Sequence, residues 1–238
     1  MRTKPIMNIG ISTVLLLISA LIFTGFNTQE KQETRDVGKF DKIGLGVAAD
    51  LYLKQGSTTK LTIEAKEEIL EKLKTEVKNG KLSIRFDSWR FSNYSKFKIY
   101  ITTPEVNGLS ISGSGDIIAE SNIKTDEISL KISGSGEINI ESLEAHMVDA
   151  GISGSGSIYL GGPDLKNMEL AISGSGNLNA VKLPTEKFNG RISGSGSCKV
   201  HVNSSLNARI SGSGKIYYAG NPLIDASSSG SGRVTPLK

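Results

Sequence analysis

The chain has 238 residues, of which 37% are hydrophobic and 22% charged, enough for one large domain or two small ones. Only 6% of the residues are aromatic and 27 are glycine, a composition that disfavours a helical enzyme and favours a stacked β architecture. The formal net charge of +4 is too small to indicate nucleic acid as a partner, and a single cysteine excludes an internal disulfide.

The first 28 residues have the layout of a secretory signal. Arg2 and Lys4 form a basic start, and the apolar run "IGISTVLLLISALIFTGF" follows from Ile9 to Phe26. This run of 18 residues is also near the lower limit for crossing a bilayer, so a cleaved signal peptide and a retained membrane anchor both stay open. We expect export to the periplasm, the outer membrane surface or the extracellular space. Contact with the membrane is expected only through this segment.

The polar residues 29–36 are predicted to form a linker. Residues 37–108 lack the repeat described below, but they carry strong β signals and are predicted to form a β layer that caps it. Within this layer "DLYLKQG" and "KLTIEA" alternate apolar and polar residues around a turn at Gly56. The segment Glu67–Val77 fits a short helix, and Asn79-Gly80 is a turn signal before another strand.

The segment "DSWRFSNYSKF" holds the one aromatic cluster of the chain. Aromatic side chains beside basic ones suit stacking on a sugar or a protein hot spot. A hairpin loop that packs over the end of the fold would have the same composition, so both interpretations stay open. The candidate contact residues of this segment are Trp89, Arg90, Phe91 and Tyr94.

A five-residue motif, "ISGSG", recurs along residues 109–238. Successive motif starts are 21, 20, 20, 20, 18 and 18 residues apart, a near-constant period that is typical of a solenoid with one coil per repeat. A flexible Gly/Ser linker would not hold this register. The motif begins at Ile111, Ile132, Ile152, Ile172, Ile192 and Ile210, with a degenerate copy at Ser228. We therefore predict a β-solenoid with coils of 18–21 residues.

The parity of the residues assigns the motif to two faces. Side chains alternate between the faces of a strand, and the motif glycines share the parity of the flanking Ile and Leu residues. We therefore expect two inward glycine columns, which let the wall bend or approach its neighbour closely. These structural glycines are Gly113, Gly115, Gly134, Gly136, Gly154, Gly156, Gly174, Gly176, Gly194, Gly196, Gly212 and Gly214.

The motif serines have the opposite parity and are expected to form two outward columns. Aligned hydroxyls at strand spacing can hydrogen-bond along a column, or present a regular polar face to a ligand such as a glycan. Serine on a tight strand also simply tolerates solvent, so the columns need no ligand. The candidate ligand contacts in them are Ser112, Ser114, Ser133 and Ser135.

Several segments resemble, in order, the auto-transporter adhesin head domain known as GIN. They are "FDKIGLGVAADLYLKQG", "LTIEAKEEILEKLKTEVKNGKLSIRF", "FKIYITTPEVNGLSISGSGDI" and the recurring "SGSGEIN", and the resemblance covers about Val37 to Lys238. It implies an exported bacterial protein with a right-handed parallel β-helix fold and a role at the cell surface. It brings no catalytic residues with it.

Other side chains give little sign of chemistry. The residue after each motif drifts from acid to base along the repeats, which argues against a calcium column. Asp116 and Glu137 lie one coil apart, and two interpretations of them stay open. Their carboxylates form a pair that performs acid–base chemistry or binds one cation, or they are two separate charges in solvent. His146 and His201 are isolated from other metal ligands, so no zinc site is expected. Cys198 occupies an inward slot and is expected to be a buried, unreactive thiol.

These observations predict a single-domain, all-β solenoid with a short helix in its N-terminal part. We expect a non-enzymatic module of the cell envelope, adhesin-like or structural, that needs no cofactor and no metal. Its partner is unknown, with a glycan or an envelope or surface protein as candidates. The alternative is a carbohydrate-active β-helix enzyme, a polysaccharide lyase or hydrolase. Such enzymes need clustered charges on one external face, whereas this sequence offers mostly serine and scattered charges.

Overall fold

The computed structural model describes residues 30–87 and 94–237. Nearly all of this part is β structure, wound into a solenoid of about six turns, with one short helix. The N-terminal signal or anchor predicted over residues 1–28 lies outside the described residues. Within them, no helix is long and apolar enough to cross a membrane.

The N-terminal part contains seven strands and the helix. They are β1 (Lys31–Arg35), β2 (Lys42–Leu45), β3 (Ala49–Gln55), β4 (Lys60–Ala65), α1 (Glu67–Lys72), β5 (Leu73–Lys78), β6 (Lys81–Phe86) and β7 (Phe97–Thr103). The hairpin between β5 and β6 turns at Asn79 and Gly80, both with positive φ, as the Asn-Gly pair predicts.

The repeat region follows with fourteen strands. They are β8 (Gly108–Gly113), β9 (Asp116–Ala119), β10 (Ile123–Lys124), β11 (Glu127–Gly134), β12 (Glu137–Ile140), β13 (Leu143–Glu144), β14 (Met147–Gly154), β15 (Ser157–Gly161), β16 (Leu165–Gly174), β17 (Asn177–Gly194), β18 (Ser197–Gly212), β19 (Lys215–Ala219), β20 (Leu223–Gly230) and β21 (Arg233–Pro236).

The strands stack in parallel into two long walls, which meet at the motif. The first wall has the order β6, β2, β8, β11, β14, β16, β17, β18 and β20, and from β8 onward its strands end at the first motif glycine. The second wall has the order β7, β3, β9, β12, β15, β17, β18, β19 and β21, and from β9 onward its strands begin after the second motif glycine. Because β17 and β18 are long, each runs through both walls.

Stacked apolar columns fill the space between the walls. The motif isoleucines Ile111, Ile132 and Ile152 are each 2% exposed, and Ile117, Ile138 and Ile158 on the second wall are fully buried. Burial of one such side chain stabilises a fold by about 1.5–3 kcal/mol. The same contacts repeat from coil to coil, so the stacking of coils is the main source of stability.

The first coils are assembled out of chain order. The coil made by β2 and β3 lies between the coil of β6 and β7 and the coil of β8 and β9. Beyond β6 and β7 the pairing becomes antiparallel, through β5, β4 and β1, which close this end of the stack. The helix α1 adds Ile69 and Leu70 to the core there.

Two expectations for this region were wrong in detail. Residues 29–36 are not a free linker, because Lys31–Arg35 form β1 against β4. The Arg35 guanidinium donates to the carbonyl oxygens of Leu70 and Leu73, at 2.6 Å each, and anchors the strand. The predicted helix is also shorter than Glu67–Val77: it ends at Lys72, and the chain continues as β5.

The expectation that both motif glycines point inward was wrong for the first of each pair. The alternation of a strand breaks at the motif, because the strand ends at the first glycine and the chain turns a corner. The first glycines have φ between +111° and +135° and are partly exposed. At Gly134 an added Cβ would lie 2.3 Å from the Gly113 carbonyl oxygen of the adjacent coil. Positive φ and close stacking therefore both require glycine here.

The second motif glycine does face the core, and it is buried in every full copy of the motif. A Cβ added at Gly156 would lie 2.5 Å from Cγ2 of Ile132, the motif isoleucine of the preceding coil. The distance is 2.4 Å between Gly176 and Ile152. The second glycine thus makes room for the neighbouring isoleucine, which is the close approach expected of glycine in a strand.

The C-terminal end of the stack differs from the closed N-terminal end. Among the described residues, β20 pairs only with β18 and β21 only with β19, so one edge of each strand is open. The apolar column that contains the buried Leu206 ends here at Ile224, which no further strand covers among the described residues. Ile224 is 45% exposed, and its neighbour Leu223 is 82% exposed.

Candidate functional site

A long concave groove runs along the outer surface of the first wall. It has a volume of about 1110 Å³ and extends from β6 to β20. At roughly 4.8 Å between strands, these eight steps give a length of about 38 Å. We call it the serine groove, since the serine that follows each motif isoleucine lines it: Ser112, Ser133, Ser153, Ser173, Ser193, Ser211 and Ser229.

The two serine columns have different surroundings. The column of Ser112 and Ser133 lines the groove, whereas Ser114 and Ser135 lie at the corner, two residues further on, and do not. The backbone at the corner continues the hydrogen-bonded ladder: Ser135 N–H donates to the Gly113 carbonyl oxygen at 2.9 Å. The four candidate serines are therefore divided between a concave surface and a convex corner.

The hydroxyls of the groove serines are free to bind a ligand. In the described part of the chain, no hydroxyl of either serine column hydrogen-bonds to another protein group, including the next serine in the column. The groove serines are exposed from Ser112 to Ser211. Each hydroxyl offers one donor and two acceptor sites at a repeat of about 4.8 Å. A ligand with many hydroxyl groups in a linear array would match this pattern.

Basic side chains also line the groove. They are Lys81, Arg85, Lys131, Arg191 and Arg209, and no carboxylate belongs to the lining among the described residues. Read along the sequence, these cations are scattered. Register brings Lys131, Arg191 and Arg209 into one column, together with Gly151 and Ala171. Sequence reasoning missed this column, and the residue before each motif isoleucine was the signal for it.

The aromatic segment is the connection along the chain between β6 and β7. Register aligns Ile84 with Leu45 and Phe97 with Ala49, so twelve residues, 85–96, connect these positions here, whereas three, residues 46–48, connect them in the neighbouring coil. Of the candidate contacts, Trp89, Arg90 and Phe91 lie outside the described residues. Tyr94 packs on Phe86, with ring centroids 4.8 Å apart, and its hydroxyl accepts from Ala48 N–H at 2.9 Å. Its position is that of a packing residue.

The carboxylates of Asp116 and Glu137 are adjacent, with a lysine beside them. Lys96 Nζ bridges Asp50 and Asp116, at 2.5 and 2.6 Å, and Asp116 Oδ1 accepts from Glu137 N–H at 2.9 Å. Burial raises the pKa of the Glu137 carboxyl, Asp116 raises it further, and Lys96 lowers it. The hydrogen bonds that Lys96 donates to Asp116 and Asp50 raise the pKa of its ammonium group. These contacts make a structural ion cluster beside the corner.

The remaining candidates lie apart from the groove. His146 pairs with Asp126, and His201 lies on β18. Cys198 is fully buried, and burial raises the pKa of its thiol. Within residues 30–87 and 94–237, no group of three or more His, Cys, Asp or Glu side chains is placed to hold a metal ion.

Comparison with solved structures identifies proteins of the same architecture. An adhesin from Bacteroides fragilis, described as putative, is 28% identical, with a TM-score of 0.83 over 88% of this chain and 97% of that chain. A "putative lipid binding protein" from Parabacteroides distasonis is 25% identical, with a TM-score of 0.73 over 89% of this chain and 98% of that chain.

A third structure, a "putative adhesin" from Parabacteroides merdae, is 23% identical with a TM-score of 0.73, over 89% of this chain and 98% of that chain. At this identity it supports the fold alone. A comparison with curated proteins gives no significant match. Residues 39–222 match the family model described as "Putative auto-transporter adhesin, head GIN domain". The resemblance seen in the sequence is thus confirmed, and the chain belongs to the family of auto-transporter adhesin head (GIN) domains.

Proposed function

We propose that this protein is an exported, adhesin-like binding module that holds an extended ligand in the serine groove without converting it. The observation that carries the proposal is the groove itself, about 1110 Å³ in volume and lined by a column of unpaired serine hydroxyls. Membership in an adhesin head family supports binding as the activity and a location outside the cytoplasm.

Binding without catalysis is supported by the chemistry of the lining. Hydrolysis or elimination on a sugar needs a carboxylate, an activated nucleophile or a comparable acid–base pair near the scissile bond. The groove lining in the described residues consists of serines, cations, small residues, Leu45 and the wall isoleucines, with no His, Cys, Asp or Glu to activate a hydroxyl. Asp116 and Glu137, the adjacent carboxylates, do not line the groove.

A polysaccharide array tests the proposal with matched serine variants. The triple substitution Ser133→Ala, Ser153→Ala and Ser173→Ala removes three groove hydroxyls. The control is Ser135→Ala, Ser155→Ala and Ser175→Ala at the corner. Each lost hydrogen bond to a ligand costs about 0.5–1.5 kcal/mol, so we expect about tenfold or more weaker binding by the groove variant. The corner variant should bind as the wild type does.

Three results would contradict the proposal. Absence of binding to every glycan and surface-protein probe would remove the binding function. Loss of binding in Trp89→Ala, with both serine variants unaffected, would move the site to the aromatic segment. The same samples, incubated with the polysaccharides that bind, should release no reducing ends and no unsaturated products. Release of either would make the protein an enzyme.

A further inference from the structure

The cations of the serine groove lie along its length. Lys81 lies over Gly44, where an added Cβ would be 2.6 Å from the lysine Cε. Lys131 lies over Gly151 in the same way, with 2.9 Å to the lysine Cδ. The glycines leave room for each lysine to extend along the groove from one coil to the next. The positive charge is therefore inside the concave surface, where a bound chain would contact it.

Two arginines are direct neighbours near the C-terminal end of the groove. Arg191 on β17 and Arg209 on β18 are paired in register on adjacent strands, and both line the groove. Arg209 is bound to Asp225, with its Nη2 2.9 Å from Oδ2. Arg191 has no ion pair with any described residue. Like charges placed opposite each other across two strands are destabilising. Asp225 already compensates the charge of Arg209, so Arg191 is the cation of this pair that an anion in the groove would compensate.

The acidic partners of the other cations lie outside the groove. Lys131 pairs with Asp149 at 2.7 Å and Arg85 with Asp87 at 3.2 Å, and neither carboxylate belongs to the lining. These pairs are exposed, so each contributes little to stability and opens readily to another anion. Among the described residues, the polar side chains that line the groove are therefore cations and serines only, and the rest of the lining is apolar, from Gly44 and Ala171 to the wall isoleucines. This charge complementarity favours an anionic ligand over a neutral one.

From these contacts we infer that the ligand of the serine groove is a linear acidic polysaccharide. This inference rests on the proposed function. A carboxylate of the polymer binds Arg191, which has no carboxylate partner among the described residues, since the planar guanidinium group matches a carboxylate with two parallel hydrogen bonds. Arg209, held by Asp225, adds positive charge beside this position. The sugar hydroxyls bind the serine column. A narrow groove of about 38 Å accepts a single polymer chain, whereas a flat bilayer would contact its rims.

The probes are polygalacturonate, alginate and hyaluronate, each compared with its methyl ester, which has the same backbone without the charge. Binding is measured by titration calorimetry on the wild type, on Arg191→Ala, and on the double variant Arg191→Ala with Arg209→Ala. The control is Lys187→Ala with Lys199→Ala, which removes the same charge from exposed positions outside the groove. Thermal melts of all variants report on folding.

We expect at least one acid form to bind about tenfold or more tightly than its ester. Binding should weaken by a similar factor in both arginine variants, but not in the lysine control. It should also weaken as salt is added. Equal binding of acid and ester, or binding of neutral glycans only, would overturn the inference and leave the proposed function standing.

A second set of measurements tests whether the anionic ligand is an acidic lipid surface and not a polysaccharide. Vesicles of phosphatidylglycerol and of phosphatidylcholine are presented to the same variants. Binding that is restricted to phosphatidylglycerol vesicles and lost with Arg191 would overturn the polysaccharide inference in favour of an acidic lipid surface. Failure to bind any glycan, protein or vesicle would contradict the proposed function as well.

Discussion

The backbone N–H of Ser155 donates a hydrogen bond of 2.9 Å to the carbonyl oxygen of Gly134 on the adjacent coil. An added Cβ at Gly154 would lie 2.5 Å from that same oxygen. One carbonyl therefore links two coils and also prevents any side chain at the first glycine of the next motif. The corner can be stacked this closely only if every coil repeats the glycine.

Two alanine substitutions separate backbone strain from steric clash at this corner. At Gly113 the φ is +121° but an added Cβ meets nothing within 4 Å, so Gly113→Ala should cost only the strain, about 1–3 kcal/mol. Gly154→Ala has a similar φ, +120°, and the clash in addition, so it should lower the free energy of unfolding further. Denaturant melts measure both.

Ser155→Ala is the control for the corner, because it keeps the backbone and removes an exposed hydroxyl. We expect a change within about 0.5 kcal/mol. If Gly154→Ala were no more destabilising than Gly113→Ala, the close stacking would not be what requires glycine.

The ion cluster at Glu137 gives a prediction about pH. Burial and Asp116 raise the pKa of the Glu137 carboxyl, so the folded state favours its protonated form. The stability associated with this group is fully present below its ordinary pKa and is lost as the pH rises through the raised value. Glu137→Gln should therefore raise the Tm at neutral pH. The gain should disappear below about pH 4.

Glu144 is a control for Glu137, because the pKa of its carboxyl is shifted in the opposite direction. Hydrogen bonds from Lys124 and Asn122 lower the pKa of its carboxyl, so its contribution is present above the ordinary pKa and is lost as the pH falls. Glu144→Gln should lower the Tm at neutral pH, slightly, because the pair is exposed. Thermal melts from acid to neutral pH would contradict the account if both variants shifted the Tm in the same direction.

The open C-terminal edge should be the least stable part of the described chain. The strands β20 and β21 each have one paired neighbour, whereas β14 lies between two strands and is lined by buried side chains. Local opening needs less free energy where fewer buried contacts are lost. In hydrogen-exchange mass spectrometry, peptides from residues 223–236 should exchange well before those from β14. Equal protection would indicate that another chain covers this edge.

The inward apolar columns could be predicted from the sequence, because strand side chains alternate and Ile132, Ile138 and Ile140 share one parity. The same rule failed at Gly134, since alternation counted along the sequence continues through a corner where the backbone does not. The strand β1 was also missed. Its residues are polar, and they are held by the edge of β4 and by Arg35, which no local pattern reveals.

The groove could be predicted only in part. The outward serine column followed from parity, but the column of Lys131, Arg191 and Arg209 depends on the register of coils whose lengths differ. The placement of β2 and β3 between later strands could not be predicted from the sequence either, because it depends on pairing between strands far apart in the chain.

The most direct test of the groove as the binding site uses one bulky label at two positions. Ser173→Cys lies in the groove and Ser175→Cys lies at the corner, and both positions are exposed. Each is coupled to the same fluorescent maleimide. The native Cys198 is fully buried, and burial raises the pKa of its thiol, so it should not react in the folded protein. We expect labelled Ser173→Cys to lose polysaccharide binding, while labelled Ser175→Cys binds as the wild type does. Unchanged binding by both labelled proteins would contradict the assignment of the serine groove as the ligand site.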